Sequence, residues 1–229
     1  MVGMRARVAV GRLAMKTKLK PEFLLASEDD LRALYPATHE IAVKKCLDHL
    51  DQHARDFIAL SPFLCIGTQT QDGRADVSPR GDPAGFVTVL DEQTLLIPDR
   101  PGNNRLDTLS NIVDNPVVGL LFMVPGFDET IRVNGHAHLT RDPELLETLT
   151  VAGKTPRVAI AVEVAEVFIH CAKAFRRSKL WQPDSYPDRL VWPSLMQVIH
   201  DQTNGEPVDA KDMAKRDAAL EEEYRQTMY

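Results

Sequence analysis

The feature that most constrains the fold of this chain is a change of hydrophobic period at Ser61-Pro62. Before that point apolar residues recur at steps of three and four: Val43, Leu47, Leu50, Ala54, Phe57 and Ile58. That spacing predicts one long amphipathic helix, capped by Thr38. After it the period falls to two, and turn residues recur at short intervals. Strands are expected at Phe63–Thr68, Ala75–Ser78, Phe86–Leu90, Thr94–Ile97, Val117–Val124, Thr130–Leu139 and Val158–Ile169. Asp72-Gly73 supplies the positive φ angles of a tight hairpin. Ser78-Pro79-Arg80-Gly81-Asp82-Pro83 reads as a bulge or bend, because Pro and Gly break a regular central strand. The apolar run Val117–Val124 predicts a strand buried on both faces. Short strands joined this way imply a mainly β (α+β) fold, an antiparallel six- to seven-stranded barrel with flanking helices.

One polar loop interrupts the barrel: Pro98-Asp99-Arg100-Pro101-Gly102-Asn103-Asn104-Arg105. It leaves a strand and enters a short helix expected over Leu106–Val113. A helix start after a Gly/Asn turn presents free N–H groups and a partial positive charge, which suits a phosphate. A solvated loop at a helix entrance is the plainer reading of the same residues. A second basic cluster, Lys173, Arg176, Arg177 and Lys179 with Trp181, follows the last strand directly. It suits an anionic ligand, an acidic partner surface or a solvated helix. Trp181 and Trp192 are the only tryptophans, and either is able to cover a planar ligand or sit in an interface.

Composition removes several classes. The net charge of −6 over 229 residues argues against a general nucleic-acid binder. No run reaches the roughly 18 apolar residues of a membrane span. Cys46, Cys65 and Cys171 are scattered without a C-x-x-C pair, which fits a reducing cytoplasm and neither a zinc site nor a disulfide framework. His39, His49 and His53 fall on a wet helix face with no metal-ligand spacing. The first residues carry Arg5, Arg7, Arg12, Lys16, Lys18 and Lys20 and no acid. They read as a flexible basic tail over 1–22, with Met4 and Met15 as alternative starts. Ser27 before Glu28, Asp29 and Asp30 caps a first helix that ends at Pro36. Residues 182–229 read as a helical extension, packed on the barrel or on a partner.

In order and spacing, these features resemble the pyridoxamine 5′-phosphate oxidase-like FMN-binding split-barrel proteins, over roughly Phe57 to Trp181. The first hairpin with Asp72-Gly73, the segment Ser78-Pro79-Arg80-Gly81, the strand–loop–helix Leu95–Pro116 and the strand Thr130-Ile131-Arg132-Val133-Asn134-Gly135 carry the likeness. The wording of His170–Trp181 and of Asp99–Arg105 is similar to a subgroup of predicted FMN-dependent flavoproteins without an assigned substrate. The family's Arg-Lys pair is replaced by Asn104-Arg105, its Arg-x-x-Leu-Leu-Lys stretch by Ser78 to Pro83, and its Arg-Leu-Ala-Pro signature is absent. The resemblance therefore implies FMN binding and a homodimer with FMN at the subunit interface, but not vitamin B6 oxidation. It implies a split-barrel domain over 23–181 and an FMN-dependent oxidoreductase acting on a small molecule through flavin N5. Cofactor contacts are expected from Ser78, Arg80, Asp99, Arg100, Asn103, Asn104, Arg105 and Arg132. Substrate contact or site closure is expected from Lys173, Arg176, Arg177 and Trp181. A non-catalytic flavin store, a deazaflavin binder and a haem binder using His136, His138 or His170 are the alternatives.

Overall fold

The computed structural model describes residues 18–203 and 206–229. Most of the expected basic tail, including both alternative starts, lies outside the described residues. The contacts divide the chain into two units, Met1–Val43 and Lys44–Tyr229. In the first, helix α1 (Glu28–Leu34) begins with a capping box: Ser27 Oγ accepts from Asp30 N–H, and the Asp30 carboxylate accepts from Ser27 N–H.

The expected long helix is in fact two. Helix α2 (Glu40–Lys44) stops, and α3 (Gln52–Leu60) restarts after Asp51, whose carboxylate accepts from Ala54 N–H at 2.8 Å. Between them the chain turns and bends around a single bridge, in which Leu47 exchanges hydrogen bonds of 2.9 and 2.8 Å with Val167. A strong N-cap at Asp51 and a strand partner far along the chain outweigh the local helical period.

The second unit is built on seven antiparallel strands: β1 (Phe63–Gln69), β2 (Ala75–Gly81), β3 (Thr88–Val89), β4 (Thr94–Pro98), β5 (Val117–Met123), β6 (Thr130–Thr140) and β7 (Ala159–His170). Their order is β2-β1-β5-β6-β7-β4-β3, so the sheet is a split barrel with β2 and β3 at its two edges. Helix α4 (Asp107–Asp114) connects β4 to β5, and α5 (Pro143–Glu147) lies between β6 and β7. Helices α6 (Lys173–Ser178), α7 (Leu195–Thr203) and α8 (Ala210–Thr227) follow. Leu64, Ile66, Leu95, Ile97, Leu120, Phe122, Val133 and Val162 form one core with Leu50 and Ile58 of the preceding segment. Burying each such side chain contributes about 1.5–3 kcal/mol.

Three local differences from the expected elements have physical reasons. Strand β2 runs on through Pro79 and Arg80 to Gly81 instead of bending, with Pro79 opposite Cys65. It is an edge strand, and an edge tolerates a proline that a central strand rejects. Strand β5 is buried on one face only: Val118, Leu120 and Phe122 enter the core, while Gly119, Leu121 and Met123 stay half-exposed on the outer face. Helix α4 starts one residue late because Leu106 adopts a left-handed φ of 60°. Gly135 marks the register shift between β6 and β7; a Cβ there would stand 2.1 Å from the Glu163 carbonyl oxygen.

Candidate functional site

The polar loop after β4 opens onto a cleft of about 930 Å³. Its walls are strand β2 from Asp76 to Gly81, the loop 98–106, the first turn of α4, residues 154–157 of the α5–β7 connection, and Tyr229. The loop is shaped locally. Asn103 Oδ1 accepts from Arg105 N–H at 3.1 Å, and Asn104 takes a φ of 56°, which Asn tolerates better than most residues. Leu106, at 60°, has no such tolerance, and its strained backbone sits at the entrance of α4. No side chain caps that helix start. The helix is tied to the barrel instead: Asn111 Nδ2 donates to Thr68 Oγ1 at 3.0 Å, and the Gln71 N–H donates to Asp114 at 2.8 Å.

Three of the four arginines expected at this site lie against an aspartate. Arg80 Nη1 is 2.7 Å from Asp99 Oδ1, and Arg105 Nε is 2.7 Å from Asp107 Oδ2. Arg100 Nε is 2.6 Å from Asp82 Oδ2, and its Nη2 donates to the Leu149 carbonyl at 2.9 Å. The Asp82 side chain is only 1% exposed, and its second oxygen accepts from the Tyr229 hydroxyl at 2.6 Å. That bond pushes the Tyr229 phenol above its ordinary pKa. The Arg100 guanidinium also lies 5.8 Å from the centre of the Tyr229 ring. Arg100 is thus a buried strut between α5 and the last residues of the second unit. Arg105 is 73% exposed and free to meet a ligand. Arg80 Nε is the one buried side-chain nitrogen or oxygen without a hydrogen-bond partner among the described residues. A buried orphan donor is costly, and it sits in a side chain that lines the cleft.

Ser78, Arg80, Asp99, Arg100, Asn103, Asn104 and Arg105 therefore converge on one cleft. Arg132 does not join them. It is exposed on β6, with its guanidinium 5.1 Å from the centre of the Phe168 ring. The segment with Lys173, Arg176, Arg177 and Trp181 also lies elsewhere. Arg176 Nε donates to Asp128 at 2.9 Å and Trp181 Nε1 to the Phe127 carbonyl at 2.7 Å, so it packs on the β5–β6 turn. His136, His138 and His170 do not line the cleft. Among the described residues, no three His, Cys, Asp or Glu side chains group to hold a metal, and no helix is long and apolar enough to cross a membrane. Sequence reasoning missed Lys154, Arg157 and Tyr229. Gly153 beside Lys154 was the available signal for the first; nothing local marks Tyr229.

A family model described as pyridoxamine 5′-phosphate oxidase matches residues 50–171, just over half of the chain. No curated protein matches it in sequence. Among solved structures it is similar to HupZ of Group A Streptococcus, 17% identical, covering 52% of this chain and 92% of that one with a TM-score of 0.43. It is also similar to an FMN-binding protein of Syntrophomonas wolfei, 8% identical, covering 63% and 97% with a TM-score of 0.40. An FAD-binding protein of Mycobacterium smegmatis is 18% identical, covering 54% and 97%, with a TM-score of 0.39.

Proposed function

Because this chain belongs to the pyridoxamine 5′-phosphate oxidase family, we propose that its cleft binds FMN and that the protein is an FMN-dependent oxidoreductase acting on a small molecule. The observation that carries this reading is the cleft itself. An uncapped helix start, an exposed Arg105 and the orphan Arg80 Nε open onto one space of about 930 Å³. That volume lies within the range of cofactor sites.

When bound, FMN supplies the redox chemistry, accepting a hydride at the isoalloxazine N5 and passing electrons onward. The chain's own residues supply binding and electrostatics. Arg105, Asn104 and the first N–H groups of α4 are placed to bond the phosphate. Arg80 and Ser78, along β2, are assigned to the ribityl chain or the pyrimidine edge. A cation near that edge favours the reduced, anionic ring. Asp99 holds Arg80 in position through its 2.7 Å ion pair. Arg100 is assigned a positioning role, since Asp82 and the Leu149 carbonyl hold its Nε and Nη2.

The protein is proposed to act as a homodimer in the cytoplasm. Cys65 and Leu121 stand in register on neighbouring strands of the half-exposed outer face, next to Arg132 and Phe168. An outer sheet face of this character supports pairing with a second copy, and Arg132 then belongs to the dimer face rather than to its own chain's cleft.

The test is an absorption spectrum of the purified protein, with heat-released cofactor run against FMN, FAD and deazaflavin standards. Flavin bands with FMN released are expected. A colourless protein that takes up no added FMN overturns the reading.

A further inference from the structure

The charges of the cleft do not balance evenly along its walls. Arg80, Arg100 and Arg105 are each neutralised by an aspartate. Two further cations line the same space, Lys154 and Arg157, and neither forms an ion pair among the described residues. Both belong to the connection between α5 and β7, which is built to hold them. Val151 and Lys154 exchange backbone hydrogen bonds of 3.2 and 2.9 Å around Ala152 and Gly153, at φ angles of 50° and 72°. The Thr150 and Thr155 hydroxyls meet at 2.9 Å across the same turn. Pro156 is buried, and the Asp99 N–H donates to the Val158 carbonyl at 3.0 Å, clamping this connection to the polar loop. Lys154 and Arg157 thus stand exposed and without an ion pair beside the loop that enters α4, in a protein of net charge −6, while Asp76, the one side-chain carboxylate lining the cleft outside the three pairs, accepts from Thr108 Oγ1 at 3.2 Å. A concave wall concentrates their field on whatever anion enters.

We propose that Lys154 and Arg157 form the anion clasp of this cleft and hold the phosphate monoester of its ligand. This inference rests on the flavin reading and deepens it by naming the residues that distinguish a phosphorylated flavin from an unphosphorylated one. A phosphate monoester carries nearly two negative charges at neutral pH, which matches two free cations. Arg105 bonds the same phosphate from the loop side with a charge that Asp107 partly offsets, whereas Arg80 and Arg100, paired and mostly buried, hold the shape of the wall.

The experiment compares FMN with riboflavin, which differ only in the phosphate, by fluorescence titration. The wild-type protein, a Lys154→Gln/Arg157→Gln variant and a Lys154→Arg/Arg157→Lys variant are measured. The Gln variant is expected to lose on the order of 10- to 100-fold of the preference for FMN. Its riboflavin affinity stays unchanged, and the charge-preserving variant restores most of the preference. An unchanged FMN-to-riboflavin ratio in the Gln variant overturns the proposal, and so does an equal fall in both affinities, which indicates loss of shape rather than of charge. If the wild-type protein binds neither compound, the flavin reading fails. The clasp is then judged by calorimetry with inorganic pyrophosphate. Binding by wild type that vanishes in the Gln variant upholds it; no binding by wild type, or equal binding by both, overturns it.

Discussion

Residues 99–105 and residues 173–181 are two places where cations gather along this acidic chain, and the fold treats them differently. The first stretch lies in a cleft: Arg100 meets an aspartate from the loop after β2, Arg105 meets one at the start of α4, and Asp99 takes Arg80 from β2. The second forms the short exposed helix α6 and its exit. There Arg176 is 70% exposed against Asp128, and Trp181 donates to a turn carbonyl. Density of charge in the sequence was higher in the second stretch. Concavity and a supporting set of carboxylates belong only to the first. A basic cluster becomes a ligand site when the backbone around it is held still and curved. Otherwise it is a solvated face or a contact for another molecule.

The largest expected effect tests whether the cleft wall depends on its buried pair. Asp82→Ala leaves Arg100 without a counter-charge and Tyr229 without an acceptor, and is expected to destabilise the fold by about 3–5 kcal/mol in urea unfolding. A loss below about 1 kcal/mol would show that Arg100 is well solvated without Asp82, and the contrast with α6 would weaken. Arg105→Ala comes next. The side chain is 73% exposed, so stability should hold while FMN binding weakens by about 1.5–3 kcal/mol on titration. Unchanged affinity would sink the assignment of Arg105 to the phosphate.

On the other side of the comparison, replacing Arg176 and Arg177 together by Ala is expected to shift unfolding by no more than about 0.5 kcal/mol. FMN uptake should be retained. A dimer that dissociates in sedimentation would place α6 at the interface. A fall in FMN affinity as large as that of Arg105→Ala would erase the distinction between the two segments.

The smallest effect is one of pH. The Asp82 carboxylate raises the Tyr229 pKa above 10.0, because it holds the neutral phenol. A raised folded-state value means that this contribution is complete below pH 10.0 and is lost as pH climbs through the folded pKa. Tyr229→Phe should therefore remove an alkaline decline in stability and delete the last tyrosine to ionise in an ultraviolet titration. An identical alkaline limb in the variant would show that Tyr229 is not held by Asp82 in solution.

Much of the barrel was legible in advance. The period-two segments, the Asp72-Gly73 turn and the Ser27 cap are decided by residues within a few positions of one another. The structure finds a strand at each expected place, with boundaries moved by one or a few residues. Local pattern failed where a distant partner intervened. Leu47 looked helical by spacing, yet pairs with Val167. Pro79 looked like a break, yet sits on a sheet edge, and edge position cannot be read from a segment alone. Arg132 was expected at the cofactor because its strand matched a pattern, but the alternation of β6 turns it to the outer face. Lys154 and Arg157 were overlooked because they lie well over forty positions beyond the polar loop and only the β4–β7 pairing brings them beside it.

By itself, then, the sequence determined that this chain makes an antiparallel barrel with a polar loop leading into a helix, because side-chain period, turn chemistry and caps act over a few residues. Which cations are paired, which are left without an ion pair, and that Tyr229 lines the wall were decided only by the tertiary structure. Those outcomes depend on contacts such as Asp82 with Tyr229, 147 positions apart, which no local pattern encodes.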